Sequence, residues 1–576
     1  MLDAPMELWN TAILVGALLL VVSIVASDVS SRLGAPLLLV FMLLGMAAGE
    51  DGPGGIRFDD FELSYVIGTL ALAVIIFDGG MRTRRETFRV TLWPAVSLAT
   101  VGVMVTAVLV GLFAARVLGL TWLQGLLVGA IVASTDAAAV FALLRGAGTT
   151  LQERVSSLLE VESASNDPMA IFLTVAVLEL LTAGKTGFDA GVVLSFVKQF
   201  SIGALFGLAG GRLLVWLTNR LRLHTGLYPL LAAAGGLLVF AATHQIGGSG
   251  FLAIFLAGVV LGNSQLQAAQ NVLRVHDGLA WLSQITMFVI LGLLVTPSEL
   301  VPIAVPALAI AAFLILVARP VAVVASLAPL RVPWRDQAFV SWVGLRGAVP
   351  IVLGLFPTMY GLEDGRLYFN VAFFIVLVSL LVQGWTIAPT ARLLRLEVPP
   401  STEPAQRVTL DIPGHFEHEI VSYEILPGSF AAARELGSLQ LPEGSQAVAV
   451  IRDGVPQGLG PELKLQPRDY LHLLTQPKSV HALNRLFDPH QAPARLEEHR
   501  YFGDFVLKGD ALLGDLAEVY GVEVPSELLG KTLSQYLNQR SHGRVVVGDR
   551  APLGNALLVV RDVENGRVTE VGLKLR

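Results

Sequence analysis

From residue 8 to about residue 391 the chain is a succession of apolar stretches, most of them near the ~20 residues that cross a bilayer as a helix. Hydrocarbon offers no water to an unpaired backbone N–H or C=O, so stretches of this kind fold as helices that satisfy their own polar groups. Composition agrees: of 576 residues 54% are hydrophobic and 15% charged, with a mean hydropathy of +0.66, too apolar for a soluble globule of this length. Beyond about residue 398 charged, proline-containing sequence of ordinary soluble composition follows. The chain thus divides into a membrane part, 1–398, and a tail. Cysteine is absent, which excludes disulfides and thiol chemistry. The net charge of −6 is dispersed and points to no nucleic-acid partner. Met-Leu-Asp-Ala-Pro-Met-Glu lacks the basic flank of a secretory signal, so the first apolar run reads as a retained span.

Thirteen stretches are delimited by polar or Gly/Pro punctuation, near 8–27, 34–50, 61–80, 91–115, 122–145, 157–182, 190–218, 227–246, 249–264, 277–297, 300–329, 336–357 and 367–391. Basic residues test the count. With the amino terminus outside, the inner loops hold Arg32, Arg82, Arg84, Arg85, Arg89, Arg145, Arg154, Arg220, Arg222, Arg274, Arg331 and Arg335, and the outer loops only Arg57, Arg116, Lys185 and Arg366. The expectation is a polytopic α-helical membrane protein of thirteen spans, embedded in the lipid of a bacterial inner membrane, with a cytoplasmic tail.

Three charges lie deep in these stretches. Counted from the inner ends, Asp136 is about nine residues in and Asp167 and Arg346 about ten, roughly 14–15 Å at ~1.5 Å per residue. A charge near the midplane costs roughly 3 kcal/mol on insertion scales, so it persists where it meets water, a partner or a passing cation. Asp136 and Arg346 sit in the fifth and twelfth stretches, seven apart, as matching helices of inverted repeats would. Each lies among small residues, Ala-Ile-Val-Ala-Ser-Thr-Asp136-Ala and Gly-Leu-Arg346-Gly-Ala-Val-Pro, a composition that tolerates close approach and a broken helix. In crossed, broken helices, half-helix ends place partial charges at the midplane, and an Asp and an Arg neutralise them. The sixth stretch reads as the binding helix. Ser163 and Asp167 share one face, Glu162 and Asn166 the next, and Pro168 frees the carbonyl of Ala164. Carboxylate, hydroxyl and carbonyl oxygens suit an alkali cation. The same carboxylate can hold a proton instead, so a site taking one or the other exchanges them when it faces alternate sides.

Other classes fit less well. A channel would show a repeated filter motif, organic-solute uptake a roomier site with more polar contacts, and an intramembrane enzyme a His-Glu-x-x-His pattern or a serine with a basic partner. A sensor needing only an anchor would not carry polar cores in many spans. Arg319, beside Pro320, has an ambiguous depth and receives no role. His244 reads as an interfacial histidine, and Glu417 and His418 are metal-capable but poorly spaced. No cofactor is expected.

The motifs Phe77-Asp78-Gly79-Gly80, Ser134-Thr135-Asp136, Glu162-Ser163 to Asn166-Asp167-Pro168, Gly250-Phe251-Leu252-Ala253 and Gly344-Leu345-Arg346-Gly347-Ala348 resemble, in combination and order, the NhaP-type cation:proton antiporters with an Asn-Asp pair. The resemblance implies a thirteen-helix fold with a dimerisation domain, hence a homodimer, and a mobile core working by elevator-like alternating access. It implies that Asp167 carries proton and cation in turn, with Ser163 and the Thr135 carbonyl as ligands and Asp136 adjacent. It further implies that Asn166 fixes the broken-helix geometry and that Glu162 pairs with Arg346. Asp78 stands where the family usually has Glu, one methylene shorter, and as a ligand it competes with the reading of a solvated residue near the inner end of its span.

The tail resembles two regulatory modules, each a small cytoplasmic α+β domain. With Leu-Gly-Ser-Leu-Gln-Leu-Pro442 and Val448-Ala-Val-Ile-Arg-Asp-Gly, residues 405–476 resemble the TrkA-C ligand-binding half of potassium-conductance regulators; with Gly-Asp510-Ala-Leu-Leu-Gly-Asp-Leu and Val560-Arg-Asp-Val-Glu-Asn-Gly-Arg-Val, residues 500–576 resemble the CorC/HlyC transporter-associated domain. Together with the membrane part they resemble the cell-volume-regulation potassium/proton antiporters. This implies exchange of cytoplasmic potassium for protons, with sodium as the alternative, electroneutral because one carboxylate carries both, and gated by a small regulatory ligand in the tail.

Overall fold

The computed structural model describes residues 3–33, 36–83, 85–184, 187, 190–398, 405–409, 419–427, 429–476, 479–487, 501–503, 505–541, 545–564 and 567–575. Arg84, Lys185, Glu417 and His418 lie outside them. The chain divides into two compact units, residues 1–266 with 271–397, and residues 267–270 with 398–576.

The first unit is helical. Among the described residues, eight helices are long and apolar enough to cross a membrane, including Thr91–Leu118, Glu153–Thr182 and Ala304–Leu327. The first stretch lies in the helix Asp3–Leu33, and the remaining ones hold shorter helices or pairs of half-helices. The helices that frame the deep charges are α1 (Phe61–Arg82), α2 (Trp122–Ile131), α3 (Ala137–Gly146), α4 (Glu153–Thr182), α5 (Ala269–Leu294), α6 (Arg319–Leu327), α7 (Trp334–Trp342), α8 (Ala348–Met359) and α9 (Gly365–Gly384).

The fifth stretch is α2 and α3 with residues 132–136 unwound between them, and the twelfth is α7 and α8 with 343–347 unwound. Local chemistry accounts for the first break. Asp136 is extended and its Oδ1 accepts from Ala139 N at 3.0 Å, so it caps α3 rather than continuing α2. Gly347, with φ −104 and ψ −146, leads into α8 in the second. The fourth and eleventh stretches each carry a π turn, Leu98–Gly102 and Leu314–Ala318, so irregular features recur seven stretches apart. Small residues bring the helices together: a Cβ on Gly111, Gly125 or Gly129 would overlap the facing backbone where helix Val103–Leu118 meets α2. Pro168 does not interrupt α4, which runs unbroken through it.

In the second unit, strands β1 (Ala405–Thr409), β2 (Glu419–Glu424), β3 (Gln446–Arg452), β4 (Val455–Gln457) and β5 (Tyr470–Thr475) form an antiparallel sheet ordered β1-β2-β5-β3-β4. Val421, Tyr423, Leu471 and Leu473 alternate inward, and Phe487 of helix Val480–Phe487 stacks on Tyr423 at 4.3 Å. Strands β6 (Phe505–Lys508), β7 (Arg550–Leu553), β8 (Ala556–Glu564) and β9 (Arg567–Leu575) form a second antiparallel sheet ordered β6-β9-β8-β7. Its core takes Leu513 and Leu516 from helix Leu513–Tyr520 and Leu533 and Leu537 from helix Leu533–Arg540.

Candidate functional site

The two unwound segments cross. Asp136 N donates to Leu345 O at 2.8 Å, tying one segment to the other. Arg346 Nη1 donates to the carbonyls of Ala133 and Ser134, at 2.6 and 2.5 Å, just past the end of α2. The guanidinium thus sits at the negative end of one half-helix and the Asp136 carboxylate at the positive end of the next. Gly347 makes the crossing possible, since a Cβ there would overlap Asp136 Oδ2 and lie 2.6 Å from Asp136 Cβ.

Helix α9 braces the second break, a contribution the sequence reading missed. Arg346 N donates to Ser379 Oγ at 3.0 Å, Ser379 Oγ donates to Gln383 Oε1, and Gln383 Nε2 donates to the Trp342 carbonyl at the end of α7 at 2.6 Å. Ser379 and Gln383 are one turn apart and polar within an apolar helix, which is the signal that could have found them.

Helix α4 approaches the first break from the side. Ser163 Oγ accepts from Ala137 N at 3.1 Å and donates to the Thr135 carbonyl at 2.9 Å, so it joins the unwound segment to α3. Asn166 Nδ2 donates to Thr135 Oγ1 at 2.7 Å. Asp167 Oδ1 is buried without a hydrogen-bond partner, as is Ser134 Oγ.

Glu162, expected to pair with Arg346, pairs instead with Arg319, at 2.7 Å to Nη1 and 3.0 Å to Nη2. Arg346 is engaged by the carbonyls of Ala133 and Ser134, whereas Arg319, the first residue of α6, also reaches the Val340 carbonyl of α7 at 3.3 Å. Both partners are almost wholly buried. An arginine within an apolar stretch needs an acid, but nothing near Arg319 in the sequence says which acid answers it.

A cavity of about 650 Å³ reaches this crossing. Its wall includes Asp167, Ser163, Thr135, Asp136 and Asp78, while Asn166, Glu162 and Arg346 stand outside it. From Asp167 it extends to Arg82 and Thr83 at the end of α1, Arg145 and Gly146 at the end of α3, and Trp385 just past α9. Asp78 is not a bare carboxylate: its Oδ2 accepts from Arg82 Nε at 2.7 Å, and Arg82 Nη2 reaches Asp277 of α5 at 2.6 Å. Its Oδ1 is buried and unpartnered. Among the described residues Glu162 is matched to Arg319 and Asp78 to Arg82, while Asp136 and Asp167 have no such ion pair; Asp136 is held as the cap of α3, and Asp167 keeps an oxygen without a hydrogen-bond partner. Oxygens at its rim, on Ser163, Thr135 and Ser134, are of the kind that replace a cation's water.

Residues 17–393 match the sodium/hydrogen exchanger transmembrane family, and residues 498–576 the transporter associated domain. The chain is 47% identical to the K(+)/H(+) antiporter NhaP2 of Shewanella baltica over 568 residues, 98% of either chain. It is 47% identical to the K(+)/H(+) antiporter NhaP of Alkalimonas amylolytica over 573 residues, 99% of either chain. The fold resembles that of the sodium proton antiporter MjNhaP1 from Methanocaldococcus jannaschii, with a TM-score of 0.59 at 22% identity, covering 67% of this chain and 98% of that one.

Proposed function

The chain belongs to the sodium/hydrogen exchanger family, and from that premise we propose that Asp167 carries a proton and a cytoplasmic potassium ion by turns. The protein is a monovalent cation:proton antiporter, a secondary active transporter and not an enzyme, and potassium is favoured over sodium because relatives matching nearly its whole length are K(+)/H(+) antiporters. The observation that carries the site assignment is the unpartnered oxygen of Asp167 on the wall of a cavity in which Asp78 is matched by Arg82 and Asp136 caps α3.

Exchange follows from exclusivity. A cation at Asp167 needs the carboxylate ionised, with Ser163, Thr135 and Asp136 supplying further oxygens. A proton on the same carboxylate removes the charge that holds the cation. In either loaded form the site is close to neutral, which lowers the cost of carrying it past the hydrocarbon. Arg346 and Asp136 neutralise the half-helix ends, and Asn166 and the Glu162–Arg319 pair hold the crossing rigid. One carrier carboxylate makes the exchange electroneutral.

The remaining parts of the reading extend this mechanism. Thirteen spans in two inverted repeats place the amino terminus outside and the tail in the cytoplasm of a bacterial inner membrane, so the cavity opens inward. A homodimer anchors one set of helices in the lipid while the core moves as an elevator. Residues 405–476 act as a TrkA-C-like module whose small ligand gates transport, in the service of cell-volume regulation. The decisive experiment reconstitutes the protein in vesicles with an imposed pH gradient and follows lumenal pH on adding potassium, sodium, lithium or rubidium. Cation-driven proton movement that Asp167→Asn reduces to background is the expected result. Silence both in the full chain and in residues 1–398 would overturn it.

A further inference from the structure

We propose that the seam between α1 and the α8–α9 pair is the gate that closes the transport pathway on the face opposite the cavity mouth, with Arg366 as its clasp. The proposal rests on the antiport reading, since a carrier must close one side while the other is open.

The seam is a ladder that starts where the cavity ends. Leu72 of α1 and Val349 of α8 still line the cavity. One turn further along α1, Gly68 meets Val352, so closely that a Cβ on Gly68 would lie 3.2 Å from Val352 Cγ2. Tyr65 then packs edge-on against Phe356 at 5.2 Å, and Phe61 against Phe369 at 5.8 Å. None of these rungs is charged, and the Tyr65 hydroxyl is the one polar side-chain group they present, which leaves water few partners along the seam. At the far face Arg366 donates to Asp59 and, at 3.1 Å, to Glu299, with its guanidinium 5.3 Å over the Phe61 ring. Helix α1 gives the direction: its other end, Arg82, stands at the cavity mouth.

Arg366, Asp59 and Glu299 are each more than 40% exposed on their side chains. Exposed pairs of this kind are individually weak, which suits a clasp that must release, in contrast to the wholly buried Glu162–Arg319 pair that braces the crossing. Arg366 is a positioning residue: it touches no ion on its way, and biases which face is shut.

The absence of cysteine permits a direct test. A Cβ on Gly68 would lie 4.0 Å from Val352 Cβ, within the roughly 3.5–4.5 Å of a disulfide. In vesicles, Gly68→Cys/Val352→Cys is expected to cross-link on oxidation, lose exchange at least about tenfold and regain it on reduction, while each single variant exchanges in either state. A cross-link that forms and leaves exchange intact, or cysteines that fail to join, would overturn the gate. Absence of exchange in the parent chain would instead sink the antiport reading. For the clasp, Arg366→Gln in the Gly68→Cys background is expected to speed modification by an impermeant thiol reagent from the Arg366 face several-fold. An unchanged rate removes Arg366 from the gate.

Discussion

Asp167 and Glu162 are five residues apart on one helix and differ in what answers their charge. Glu162 has Arg319 within 3.0 Å, and both side chains are at most 4% exposed. Removing one member of such a pair leaves a buried charge uncompensated, which costs about 3–5 kcal/mol. Glu162→Gln is therefore expected to destabilise the membrane unit by that amount in thermal unfolding in detergent, and Glu162→Gln/Arg319→Met to recover most of it. Asp167, without an ion-pair partner, behaves in the opposite way: Asp167→Asn is expected to leave the unfolding midpoint unchanged or raised while exchange falls to background. A carboxylate whose removal costs activity but not stability is the mark of a carrier.

The broken helices are stabilised by interactions that no single segment contains. Gly347→Ala places a methyl group against Asp136, and a shift of about 1 Å at the crossing is expected to lower exchange roughly 100-fold, read in vesicles against a protein still folded by thermal unfolding. In the tail, Asp469 at the entry to β5 is tied to β3. Its carboxylate takes two bonds from Arg452, both at 2.8 Å, and one from Gln466 N, also at 2.8 Å. Burial pushes the carboxyl up, but the Arg452 and Gln466 donors outweigh it and hold Asp469 below its ordinary range. Its contribution is complete above the unfolded carboxylate value of about 3.9 and fades as pH falls through the lower folded value. Asp469→Asn is expected to cost this sheet about 2 kcal/mol at neutral pH, seen as faster amide exchange across β2, β3 and β5, with the difference from the parent shrinking in acid.

Over the whole molecule, a separate set of contacts holds each unit: helix crossings for residues 1–266 with 271–397, and alternating sheet cores for 398–576. A chain ending at residue 398 is accordingly expected to fold and exchange cations for protons, and to lose any response to ligands added on the tail side. Much of this was legible from residues alone. Apolar length marked the helical unit, small residues around Asp136 and Arg346 marked the two breaks, and the spacing of Ser163 and Asp167 put both on the cavity wall. These are local facts, because burial cost, helix periodicity and backbone breaks act within a few turns of chain. What a charge pairs with is not local. Arg319 lies 157 positions from Glu162, and Ser379 lies 33 from Arg346, so only packing decided that Glu162 answers Arg319, that α9 props the second break, and that α1 closes against α8 and α9. The sequence by itself determined that deep charges need water, a partner or a cation; the tertiary structure alone chose the partners, because they come from distant parts of the chain, and among the described residues it gave Asp167 no ion pair.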